Sequence, residues 1–251
     1  MNDELTSIEY WEDFWSSIKL PVLANPDTQV TALLKTYLPD ISGINLFEVG
    51  CAPGGWMAYF NKKFGYNVTG IEYAQVAANA TIKNLETQKV DANILVEDFF
   101  KINNDICYDV IFSRGFIEHF ENTQEVVNKI SKLSSNTVLT IIPNLFGING
   151  LISRVFRPDV YKKHILITRT QLKQFHELAG LKTVYCNYSN EFRIIQPFEK
   201  NKFSKHYPRI TKLLNSPVWL LNKIANTLFS VLSSYPSTKM FSPSIIYIGK
   251  K

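Results

Sequence analysis

Leu46-Phe47-Glu48-Val49-Gly50-Cys51-Ala52-Pro53-Gly54-Gly55 is the stretch that decides how the rest of the chain is read. Apolar residues lead up to and flank an acid, small residues at Gly50, Ala52 and Gly54 turn the chain, and a helical pattern follows over residues 55–64. Small residues let a backbone approach a ligand closely. A helix that starts directly behind them points its free N–H groups at the same place. The stretch reads as a strand over 43–50, a ligand-facing turn and a helix.

The alternation continues outward. Strands are predicted over 67–72, 93–97, 108–113, 137–143, 181–188 and 244–248. Helices are predicted over 74–87, over 122–133 with Asn122 as cap, and over 170–180 with Thr170 as cap. Strands alternating with helices imply crossover connections, so the sheet is parallel and helices cover both faces. This is an α/β fold of the doubly wound kind.

Upstream, residues 5–18 place Leu5, Ile8, Trp11, Trp15 and Ile18 at helical spacing, and 27–38 form a second helix with Asp27 as N-cap. Pro21 and Pro26 separate them. Downstream, 199–217 is polar and basic, with Lys200, Lys202, Lys205, Arg209 and Lys212. Residues 218–232 then read as an amphipathic helix. Val218, Leu221, Ala225, Leu228 and Leu232 form its apolar side; Asn222, Lys223, Asn226, Thr227 and Ser230 occupy the other. The organisation expected is an N-terminal helical lid at 1–42 and a main domain at 43–251, with a helical insertion at about 199–241 before the last strand.

Composition sets bounds. At 251 residues and 45% hydrophobic content, one sizeable core is possible. A formal net charge of +5 is too small to argue for a nucleic-acid partner, and none is expected. Three cysteines, an odd number without metal-ligand spacing, suit a reducing, cytoplasmic setting. No signal peptide or membrane span is read.

In open α/β sheets, ligands bind beyond the carboxyl ends of the strands. A glycine loop before a helix suits a pyrophosphate, and Gly50-x-Ala52-x-x-Gly55 loosely fits a dinucleotide fingerprint. Glu48 inside the turn argues the other way, because its carboxylate would repel phosphate and suits a cationic ligand. Glu72 ends the second strand 22 residues after Gly50, where a carboxylate can accept both ribose hydroxyls. Both cofactor classes share that feature. Asp98 at the third strand end is alternatively a helix N-cap, and the whole loop is alternatively any tight strand-to-helix turn.

Glu48-Val-Gly-Cys-Ala-Pro-Gly54 resembles the first motif of class I S-adenosylmethionine-dependent methyltransferases, with Ala52 replacing the central glycine. The resemblance covers roughly 43–190 and includes the Glu118-His119 pair, similar to small-molecule and quinone-biosynthesis members, and the stretch His164-Ile-Leu-Ile-Thr168. It implies a Rossmann-like fold with seven strands, the last antiparallel. It implies S-adenosylmethionine bound by Glu48, Gly50, Ala52, Gly54, Glu72, Tyr73, Asp98, Phe99 and Ser113, with Asp98 on the adenine amino group. The aromatic signature of enzymes that methylate nucleobase or glutamine amino groups is missing.

Methyl transfer is an in-line displacement in which the protein aligns the nucleophile. No metal is expected. For a hydroxyl acceptor, His119 and His164 are the candidate bases; each is alternatively structural. The acceptor expected is a small molecule, a saccharide or a lipid-linked intermediate. Its choice should lie in 146–161 and 199–241, and 199–232 could contact a membrane surface. The competing readings are an NAD(P)-dependent reductase and a non-catalytic module that binds the cofactor. A Tyr59/Lys63 pair exists, but in the helix after the glycine loop, where short-chain reductases do not carry it.

Overall fold

The structure is a computed structural model that describes residues 4–24, 29–103, 106–198, 206–232 and 237–251. Asp27, Pro26, Lys200, Lys202 and Lys205 lie outside the described residues.

Seven strands form one sheet: β1 (Asn45–Val49), β2 (Asn67–Ile71), β3 (Ala92–Leu95), β4 (Tyr108–Arg114), β5 (Ser134–Pro143), β6 (Lys182–Tyr188) and β7 (Ser244–Lys250). Their order is β3-β2-β1-β4-β5-β7-β6, and only β7 runs antiparallel to its neighbours. Helices α1 (Ile8–Trp15), α2 (Gln29–Tyr37), α3 (Gly55–Phe64) and α4 (Gln75–Thr87) precede β3, and α5 (Thr123–Lys132) follows β4. Then come α6 (Ile148–Phe156), α7 (Pro158–Tyr161), α8 (Arg169–Leu178) and α9 (Pro208–Val231).

Successive residues of a strand point to opposite faces, and here both faces are buried. Leu46, Val110, Phe112, Ile246 and Ile248 join one core with Phe60 of α3 and Leu34 of α2. Phe47, Ile111, Ile245 and Tyr247 join the other with Val127 of α5 and Leu172 of α8. Of the two N-terminal helices, α2 is therefore part of a core layer, with Val30, Leu34 and Leu38 buried in it.

Two local expectations are corrected. The cap of α8 is Thr168, not Thr170: Thr168 is extended, its hydroxyl accepts from Gln171 N, and its N–H donates to the Gln171 side-chain oxygen in a full capping box. The helix predicted from 218 starts at Pro208 and runs through Pro217. A proline removes the bond to the carbonyl four residues back. That carbonyl, Leu213 O, instead accepts the Ser216 hydroxyl at 2.7 Å. Along α9, Thr211 and Asn215 are buried and Val218, Asn222, Ala225, Asn226 and Phe229 half-buried, whereas Leu221, Leu228 and Leu232 are exposed.

The inward asparagines bind backbone. Residues 192–198 run without regular structure between α6 and α9, leaving N–H and C=O groups without a strand partner. Asn222 exchanges two bonds with Ile194, donating to its carbonyl at 2.7 Å and accepting from its N–H at 2.9 Å. Asn226 donates to Phe192 O, and Asn215 accepts from Phe198 N. From the other side, Asn149 of α6 donates to Arg193 O and accepts from Ile195 N.

Candidate active site

The strand order reverses between β1 and β4, so their carboxyl ends diverge and leave a crevice. The turn after β1 is held by Gly50 and Cys51, whose N–H groups both donate to Ile71 O at 3.1 Å. Gly50 has φ +68°, and a Cβ there would meet the Phe116 ring at 3.0 Å, so both conformation and space require glycine. Gly54 caps α3 and faces Thr81 and Leu85 of α4, outside the crevice.

Two cavities fill the crevice. The smaller, about 100 Å³, is lined by Gly50, Ala52, Glu72, Tyr73, Asp98 and Phe99, with Phe100, Phe116 and Phe120 around them. Glu4, Trp11 and Trp15 line it from the N-terminal segment. The larger, about 1310 Å³, is lined by Glu48, Trp56, Glu118, His164 and Glu191, with Trp219, Asn222 and Asn226 of α9. Trp15, Gly50, Ala52, Arg114, Gly115 and His119 border both. The topology explains why α9 is there: β6 ends and β7 begins at the same edge as the parallel strands' carboxyl ends, so the insertion between them returns to the crevice.

Glu48 is buried, and its Oε2 has no hydrogen-bond partner. Burial pushes its carboxyl well above the ordinary range, while the Arg114 guanidinium pulls the other way. A buried carboxylate left in this state favours a cationic ligand group. Glu72 accepts from Ala74 N at 3.0 Å. Burial raises its pKa to about 7, partly offset by backbone N–H groups, with nearby Glu4 adding to the rise. Asp98 accepts from Phe100 N at 2.9 Å, the local turn-capping role, and also lines the smaller cavity. Ser113 lines neither cavity; it is buried at the end of β4, where its hydroxyl donates to Thr140 Oγ1 at 3.3 Å.

A three-residue helical turn at Ile117–His119 presents Glu118 and His119 beside His164. His119 Nδ1 lies 2.7 Å from Lys163 O, and His164 Nδ1 lies 2.7 Å from Val160 O. A carbonyl only accepts, so each Nδ1 carries the proton and each Nε2 keeps a lone pair. Burial pushes the His119 imidazole down to about 3, with His164 adding to the shift, and lowers that of His164 as well. Both rings are neutral at working pH. Neither Glu118 carboxylate oxygen has a hydrogen-bond partner. Ligand atoms of Glu118, His119 and His164 lie within 4.8 Å of one another, a spacing that could hold a divalent cation. Sequence spacing does not show this grouping, because His164 arrives from beyond β5.

The N-terminal segment is fastened over the smaller cavity. Leu5 N donates to His119 O at 2.7 Å, Tyr73 donates its hydroxyl to Glu4 at 2.9 Å, and Glu12 caps α4 by accepting from Val76 N at 2.9 Å. The Trp11 ring stands edge-on to His119, 5.2 Å between centroids. Sequence reading missed Glu4, Arg114 and Phe116 as site residues. Arg114, directly after Ser113 at the strand end, is the one that strand position could have flagged. Tyr59 and Lys63 lie in α3 and line neither cavity.

The family profile described as "Methyltransferase domain" matches residues 24–185. The chain belongs to this family, the S-adenosylmethionine-dependent methyltransferases, which sets the reductase reading aside. It is similar to the ubiquinone biosynthesis O-methyltransferase of Rickettsia bellii, 29% identical over 109 residues, covering 43% of this chain and 45% of that protein. The matched stretch thus spans under half of that relative. The enzyme of the same name from Rickettsia typhi is 27% identical over 206 residues, covering 73% and 80%. In fold, the chain is similar to magnesium protoporphyrin IX methyltransferase from Synechocystis PCC 6803 with bound SAH: TM-score 0.55, 10% identity, covering 96% of this chain and 83% of that one. The cavities fit the family's cofactor, since the orphaned Glu48 oxygen suits its cationic end and Glu72 its ribose. Among the described residues, no helix is long and apolar enough to cross a membrane.

Proposed function

We propose that the protein transfers the methyl group of S-adenosylmethionine to a hydroxyl oxygen of a small, lipid-linked acceptor. The observation that carries this reading is the position of His119, on the border of both cavities. In this reading the smaller cavity takes adenosine and the larger takes the acceptor. Glu48 meets the amino acid end, Glu72 the ribose, and Asp98, Phe99 and Phe116 the adenine. Tyr73 and the turn Gly50–Ala52 line the same pocket, while Gly54 and Ser113 support it from behind. Helix α1 is the lid.

When bound, S-adenosylmethionine would supply an activated methyl group for an acceptor oxygen, with S-adenosylhomocysteine and a proton as the other products. His119 Nε2 accepts the acceptor's O–H and fixes its approach; Glu118 beside it, whose carboxyl burial raises to about 8, receives the proton only when ionised, above that pH. Trp15 and Trp11 exclude water. The names of the Rickettsia relatives support oxygen as the acceptor atom. The apolar side chains Phe192 and Trp219 on the lining of the larger cavity support a lipid-linked acceptor over a saccharide.

Calorimetry with S-adenosylhomocysteine and with NADH tests the cofactor: binding of the first and not the second is expected. Absence of S-adenosylhomocysteine binding would overturn the reading. A Glu72→Ala variant that bound it unchanged would remove the site assignment alone.

A further inference from the structure

Helix α9 leaves most of its large apolar side chains outside. Its inward stripe is Thr211, Asn215, Val218, Asn222, Ala225, Asn226 and Phe229, and the side turned to solvent carries Leu213, Leu220, Ile224, Leu228 and Val231. Thr211 and Asn215 are 9% and 5% exposed, against 71% for Leu213 and 78% for Val231. A helix at a protein surface normally does the reverse. The asparagines are committed to the 192–198 backbone, so the helix cannot roll its leucines inward without stranding those peptide groups. On the other side of the same segment, α6 exposes Leu151, Val155 and Phe156. Two neighbouring helices thus leave apolar faces open, which marks a surface meant for contact.

Charge says what covers it. Up to residue 199 the chain has 18 Lys and Arg against 22 Asp and Glu, a net −4. After residue 199 it has nine Lys and Arg and no Asp or Glu, a net +9, of which Lys250 and Lys251 stand at the opposite edge of the sheet. Arg209, Lys212 and Lys223 of α9 are exposed beside the leucines. An apolar face edged with cations and free of acids fits the boundary between headgroups and acyl chains of an anionic bilayer. A second copy of this surface would bring like charges together.

We propose that α9 lies flat on an anionic phospholipid bilayer through its outward leucine face. Resting on the acceptor reading above, this gives the larger cavity a membrane-side wall, because Trp219, Asn222 and Asn226 of the same helix line it. A lipid-linked acceptor then enters along α9 without leaving the membrane surface.

The test is flotation of the full chain with vesicles of phosphatidylcholine alone and with about one third phosphatidylglycerol. Binding is expected to the anionic vesicles and to weaken as salt rises. The double variant Leu213→Glu/Leu228→Glu is expected to bind at least tenfold more weakly while keeping its affinity for S-adenosylhomocysteine. The milder Arg209→Gln and Lys212→Gln variants leave packing untouched and are expected to lose about fivefold each. Failure of the wild-type chain to float with anionic vesicles overturns the proposal, as does equal binding of the leucine variant. A wild-type dimer in solution that the leucine variant turns to monomer also overturns it, and assigns the face to a second copy. Retained cofactor binding in any of these outcomes leaves the methyltransferase reading standing.

Discussion

The imidazoles of His119 and His164 stand 4.6 Å apart, centroid to centroid, although 45 positions separate them in the chain. Each is locked to a backbone carbonyl through Nδ1, so each holds its Nε2 lone pair in a fixed direction. His119 is the one that also borders the cofactor cavity. Replacing it with alanine removes the group that orients the acceptor hydroxyl, and kcat should fall about 100-fold. Affinity for S-adenosylhomocysteine should stay within a few-fold. Unchanged turnover in this variant would mean that the ring serves packing against Trp11 alone.

The same cluster allows a second test. If Glu118 and the two imidazoles handle the acceptor proton, dialysis against EDTA leaves methyl transfer unchanged. Activity lost on chelation and restored by Mg²⁺ or Mn²⁺ would reassign the three side chains to a cation.

Glu48 offers a prediction that does not need the acceptor. Its Oε2 has no partner in the protein. A charge-assisted bond to the cofactor's amino group is worth about 1.5–3 kcal/mol. Glu48→Gln keeps the shape and loses the charge, so S-adenosylhomocysteine should bind about 10- to 100-fold more weakly in calorimetry. Equal affinity would move the amino acid end of the cofactor elsewhere in the crevice.

Glu72 predicts a pH dependence. Its carboxyl titrates at about 7 in the folded chain, against 4.5 ordinarily, chiefly through burial. Below pH 4.5 both folded and unfolded chains hold the proton, and the group is neutral for stability. Between 4.5 and 7 the unfolded chain releases it first, so Glu72 costs stability as pH rises through 7. Ribose hydroxyls donate to the ionised form. Cofactor affinity should therefore rise as pH climbs through 7, and binding at pH 6 should release a proton. Heats measured at pH 6 in buffers of different ionisation enthalpy report that proton, and Glu72→Gln should abolish it.

How much of this was legible in the sequence differs from element to element. The sheet was, because Leu46 and Phe47, or Ile245 and Ile246, send alternate apolar side chains into two cores. The placement of Glu48, Glu72 and Asp98 was too, each within three residues of its strand's carboxyl end. The contacts made across the chain were not: His164 stands beside Glu118 and His119 only through the fold, and Glu4 reaches Tyr73 across 69 positions. Helix α9 was legible only from 218, because Ser216's bond to Leu213 O, beside Pro217, is invisible without coordinates. That Asn222 and Asn226 turn inward was not legible, because nothing local shows that the helix's partner there is bare backbone.

That last point yields a stability prediction that runs against hydrophobic intuition. Asn222→Leu places an apolar side chain on the inward stripe of α9. On burial alone this should stabilise, by about 1.5–3 kcal/mol for a fully buried leucine. Asn222, however, satisfies both the N–H and the C=O of Ile194, a residue only 6% exposed. Leaving two buried peptide groups unpaired costs about 1–3 kcal/mol each. The polar loss outweighs the apolar gain, because the leucine would pack only partly beside a cavity. The variant should melt a few degrees lower, given about 2–4 °C per kcal/mol for a chain of this size. Asn222→Gln, too long to match the spacing, should melt lower as well. An Asn222→Leu variant that melted higher than wild type would show that water replaces the asparagine, and that α9 is held by its apolar contacts after all.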